Sequence, residues 1–114
     1  EAMKFYLGDR LLFIDMNHYY THCVVEGEDR VLCCHKSLSD AERVCREIRS
    51  QKFSKVREFR ALLDNGHAYS SDKKTAYGID PKVLYPTSGL LFAAIRRMEK
   101  TANSIRVMPL TVSP

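Results

Sequence analysis

The chain lacks the short motifs that announce chemistry. It has no phosphate-cradling P-loop, no GxGxxG, no GxSxG and no paired-carboxylate signature. It has no CxxC or HExxH spacing, no aromatic RNP motif, no GxxG loop and no zinc-finger pattern. No apolar run approaches the ~20 residues that span a bilayer. The apolar stretches at 5–7 and 11–14 are split by Gly8-Asp9-Arg10, which breaks the ~7–15-residue core of a secretory signal. Internal repeats and low-complexity tracts are missing too. These absences remove the motif-bearing enzyme classes, the spanning proteins and the repeat architectures.

What is present is an ordinary globular composition in 114 residues, with 45% hydrophobic and 28% charged residues. That length suits a single compact domain over residues 1–114. Glu1-Ala2 ahead of Met3 reads as two added residues before the native start. Four cysteines, Cys23, Cys33, Cys34 and Cys45, would allow two disulfides. Two of them are adjacent and nothing marks secretion, so four buried reduced thiols and a cytoplasmic location are expected.

Residues 4–7, 10–16, 19–25 and 30–35 read as strands, with turns at Gly8-Asp9 and around Gly27-Glu28. Ser39-Asp40-Ala41-Glu42 forms a capping box. Ala41, Val44, Cys45 and Ile48 then mark one helical face to about residue 51. A second stripe, Phe53, Val56, Phe59, Leu62 and Leu63, looks rotated from the first, so a break near 50–54 is expected before Asn65-Gly66 stops the helix. Residues 66–86 are irregular, with Asp80-Pro81 able to start one helical turn. Thr87 or Ser88 caps a further helix carrying Leu91, Ala94, Ile95, Met98 and Ala102. Residues 105–112 read as an edge strand, limited by Pro109. The fold class is therefore α+β: an antiparallel β-meander of about four strands against two or three helices, with a C-terminal edge strand.

The formal charge of +4 is unevenly spread. Residues 1–35 carry three basic and six acidic groups, residues 36–60 eight and four, and residues 88–114 four and one. Arg43, Arg46, Arg49 and Lys52 on the first helix, Lys55, Arg57 and Arg60 in the next segment, and Arg96, Arg97 and Lys100 on the last helix would form one positive face if the helices share a side of the sheet. Tyr69, Tyr77 and Tyr85, interleaved with Lys73, Lys74 and Lys82, make 66–86 a basic, aromatic loop suited to unpaired bases.

A two-residue turn at Gly27-Glu28 would set His22 opposite Cys33 and Tyr20 opposite His35. His22, Cys33 and His35, with His18 as a fourth, are the metal-ligand types present. Cys33 with His22, or Asp15 with His18, are the candidate catalytic pairs. The face holding Cys23, Val25, Leu32 and Cys34 would pack on the helices. No spacing motif supports a metal, so no metal or cofactor is assigned.

The first functional expectation is a small intracellular, non-enzymatic binding module. It would act as a regulator or inhibitor by occupying a protein partner's surface, with a partner from the nucleic-acid machinery. The second is direct RNA or DNA binding through the basic helical residues, and the third a small hydrolase or RNase using His and Cys on the sheet. No membrane partner is expected, and a homodimer through the 105–112 edge is the expected route to self-association.

Overall fold

The computed structural model describes residues 2–66 and 84–114. The order is β1 (Met3–Leu7), β2 (Arg10–Asp15), β3 (His22–Glu26), β4 (Arg30–His35), α1 (Leu38–Asp64), α2 (Ser88–Ser104) and β5 (Arg106–Pro109). The fold is α+β with antiparallel sheets and, among the described residues, two helices. None of those helices is long and apolar enough to cross a membrane. The helical turn expected at Asp80-Pro81 lies outside the described residues.

The chain gathers into two compact units, Glu1–Ser50 with Asn103–Pro114, and Gln51–Ala102. In the first, the expected continuous meander is divided. β1 pairs only with β2, while a second sheet has the order β4-β3-β5. Asp15 explains where the strands part. Its Oδ1 accepts from the backbone N–H groups of Asn17 (2.7 Å) and His18 (2.9 Å), turning the chain out of the ladder after β2. β5 takes the edge beside β3, and Thr111 just beyond it exchanges two backbone hydrogen bonds with Tyr6 of β1 (2.8 and 3.1 Å).

Both faces of β3 are covered. Val24 packs with Cys45 and Ile105, joined by Leu32, Cys33, Ile48 and Val107. Cys23, Val25 and Leu110 pack with Leu7, Leu12, Tyr20 and Cys34. The face expected against the helices is thus the wrong one: the Val24–Cys33 side meets α1, and the Cys23–Cys34 side meets residues of the first hairpin. Phe5, fully buried, stacks on Phe13 (ring centroids 5.0 Å) and meets Tyr20 edge-on (5.5 Å). All four cysteines are free thiols, Cys23 and Cys45 buried and Cys33 and Cys34 only half-buried.

α1 is one helix of 27 residues, without the expected break. Its stripe does not rotate. Ala41, Cys45, Ile48, Lys52, Val56, Phe59 and Leu63 step by three or four residues, the spacing of one face at about 3.6 residues per turn. Lys52 holds an apolar position and conceals the continuity. The cap is Ser37 rather than Ser39, since Ser37 Oγ accepts from Asp40 N at 3.1 Å. Gly66, at φ 68°, ends the helix as its αL residue. Thr87 caps α2 by accepting from Leu90 N at 3.2 Å.

In the second unit Val56, Phe59 and Leu62 of α1 pack on Leu91 and Ile95 of α2, with Leu63, Tyr85 and Met98 alongside. Arg60 and Glu99 form an ion pair between the same helices.

The unbroken α1 makes a direct prediction. Gln51→Pro removes a helix-interior hydrogen bond and clashes with the preceding turn, so urea unfolding followed by circular dichroism should show a loss of about 3 kcal/mol. A variant as stable as the parent would mean the helix is interrupted there.

Candidate functional site

The basic residues singled out on the two helices are divided between the two compact units. Arg43 is exposed and lies between Asp40 (3.8 Å) and Glu47 (3.3 Å), so its charge is balanced locally. Arg46 is exposed one turn on. Arg49 is committed to the fold. Its Nη1 donates to the carbonyl oxygens of Asn103 (3.3 Å) and Ile105 (2.9 Å), satisfying acceptors at the end of α2. These three belong to the first compact unit. Arg96 is exposed, its guanidinium carbon 5.9 Å from the Phe92 ring centroid, and Lys100 is exposed on the same helix. Lys73, Lys74 and Tyr77 lie outside the described residues.

Within the second unit, Lys52 and Arg97 are brought together by the fold. They line a cleft of about 260 Å³ in the second unit, with Lys55, Tyr85 and Thr101 beside them and Ala94 and Met98 as its apolar lining. The local sequence explains the arrangement. Lys52 and Lys55 are three apart on α1, and Arg97 and Thr101 four apart on α2, so each pair shares a helical face. The sequence already offered Lys55 among the basic residues and Tyr85 among the loop aromatics, and gave no signal for Thr101. The break assumed in α1 set Lys55 in a separate segment from Lys52, with which it shares a face of one helix.

Among the described residues the cleft's lining holds three cationic side chains and no carboxylate. Glu58 approaches Lys55 Nζ to 3.4 Å, but both are well exposed, so solvent weakens that pairing. Arg97 offers a planar fork of donors suited to two oxygens of one anion, and the lysines offer mobile point charges. The chemistry available is capture of an anion that also carries apolar surface.

The sheet's His and Cys residues assemble differently from expectation. Three residues, Gly27-Glu28-Asp29, separate the paired Glu26 and Arg30, and a bulge follows between Val24 and Val25. The register therefore moves by two from the expected one: His22 faces His35, Cys23 faces Cys34 and Val24 faces Cys33. An even shift leaves His22, Cys33 and His35 on one side but changes the partners. Cys33 Sγ sits 3.1 Å from His35 Nε2, while His22 Nδ1 lies 2.8 Å from Thr21 Oγ1. The Cys33–His22 pair is thus replaced by Cys33–His35. Burial pushes the Cys33 thiol up, which disfavours a thiolate nucleophile. Hydrogen bonds from the Asn17 and His18 backbones hold the Asp15 carboxyl below its usual range, so it stays an acceptor and a turn-former. Among the described residues no group of three or more His, Cys, Asp or Glu is placed to hold a metal.

Comparison with protein-family models, characterised proteins and solved structures finds no match, so the cleft is read from its own chemistry.

Burial also pushes the Cys23 thiol up to about 11. The fold keeps the neutral form, so this stabilisation is full below the free thiol's range and is lost as pH rises toward about 11. Iodoacetamide at pH 8 should leave Cys23 unmodified in the folded chain and label it in concentrated urea, as read by peptide mass spectrometry. Rapid labelling in the folded chain would contradict that burial.

Proposed function

We propose that this protein is a small non-enzymatic binding module and that its helical unit holds the phosphate backbone of a nucleic acid. One observation carries the reading: the cleft between the two helical segments is lined by Lys52, Lys55 and Arg97, with no carboxylate among the described lining residues. A phosphodiester supplies the repeated negative oxygens that such a set pairs with, and neutralising it releases counterions. The chain's surplus of basic over acidic residues, 18 against 14, favours the encounter.

The expectation of a regulator that occupies a protein's surface has separate support. Leu11, Ile14 and Met16 are 46%, 55% and 72% exposed in and just after β2. The bulge between Phe5 and Tyr6 skips Leu12 in the pairing, which sets Leu11 and Ile14 on the same side of the hairpin. An apolar protein surface is the occupant that chemistry fits. A module that touches nucleic acid by its helices and protein by its hairpin would act on the nucleic-acid machinery.

Fluorescence anisotropy with a labelled mixed-sequence oligonucleotide across a salt series tests the main reading. Three phosphate contacts to a single strand predict a log–log slope of about −2. Lys52→Ala with Arg97→Ala should weaken binding by about tenfold or more at low salt, while Arg43→Ala leaves it unchanged. No binding at low salt, or binding indifferent to the cleft variants, would overturn the proposal.

A further inference from the structure

Resting on the nucleic-acid reading, we infer that the cleft takes a single-stranded segment one nucleotide at a time, with its phosphate on Lys52, Lys55 and Arg97 and its base against Tyr85 and Met98. The cations alone would suit any phosphate backbone. The rest of the lining is not explained by phosphate: Tyr85 and Met98, both half-buried, add aromatic and apolar surface to the same cleft. A duplex carries its phosphates outside and keeps its bases stacked within, so it has nothing to set on that surface. An unpaired nucleotide has a charged end and a flat, weakly polar face, the two halves that the lining offers.

Size points the same way. At about 260 Å³ the cleft is close to the ~300 Å³ lower end of small-ligand sites, room for one small unit rather than for a helix of nucleic acid. Tyr85 is also held in place. It is half-buried and meets Phe59 edge-to-face, with centroids 6.0 Å apart and planes at 69°. A ring fixed by packing loses little freedom when a base stacks on it. Lys55 and Arg97 carry long flexible stems at the rim and adjust to the phosphate.

Competition anisotropy separates this inference from the broader one. A labelled single strand is displaced by the unlabelled strand, by its duplex, and by an abasic strand that keeps every phosphate. The expected order is the single strand about tenfold or more tighter than the duplex, with the abasic strand weakened by about fivefold or more. Tyr85→Leu, which keeps an apolar contact for Phe59, should lose the preference for the intact strand over the abasic one. Duplex binding as tight as single-strand binding, or an abasic strand competing equally, would overturn the inference and leave backbone binding standing. Polyphosphate or anionic vesicles displacing the strand as well as the strand itself would likewise overturn it. No binding by any nucleic acid at low salt would remove both readings.

Discussion

The cleft depends on the burial of Leu91 and Ile95 of α2 against Val56, Phe59 and Leu62 of α1. Each such side chain stabilises the fold by an amount that truncation to alanine would cut by about 2–5 kcal/mol. No exposed ion pair in the same unit approaches that, Arg60–Glu99 included. The apolar contact therefore sets the positions of the two helical segments, and the charged residues take the places that helical spacing leaves at its rim. Lys52 and Arg97 stay exposed there. They keep most of their hydration, avoid the penalty of buried charge, and remain available to an anion.

The other unit is organised by a different constraint. β3 is packed on both faces, at Val24 on one and at Cys23 and Val25 on the other, and several polar groups of this unit are claimed or suppressed. Cys23 and Cys34 lose thiolate character to burial. Asp15 closes a turn, and Arg49 and Arg106 are tied to carbonyl oxygens of Asn103, Ile105, Ser104 and Gly27. Asp15, one of the residues that suggest catalysis in the sequence, thus serves a turn. Besides exposed charged residues such as Arg43 and Arg46, this unit leaves apolar side chains to solvent on the hairpin at Leu11 and Ile14.

Much of this was legible in the sequence because it is local. Alternation and turn residues marked the strands, Asn65-Gly66 marked the end of α1, and Thr87 marked the start of α2. The failures came where several local readings fit the same residues and only the folded geometry chose between them. A three-residue connection at Gly27-Glu28-Asp29 and a bulge moved the His–Cys register by two. One lysine at an apolar position made a continuous stripe look rotated, and that apparent break separated Lys52 from Lys55. Ser37 and Ser39 both fit a cap by spacing, and only the hydrogen bond to Asp40 chose between them. The basic residues were visible individually. Which were committed, as Arg49 is, and which converge, as Lys52 and Arg97 do, is a property of packing.

The most direct test of the central claim is a titration of the isotopically labelled protein with a short single strand, followed by amide and side-chain NMR shifts. The account predicts that the perturbed resonances cluster at Lys52, Lys55, Tyr85, Arg97 and Thr101. Shifts confined to the hairpin around Leu11, Ile14 and Met16, or spread evenly over the surface arginines, would contradict it.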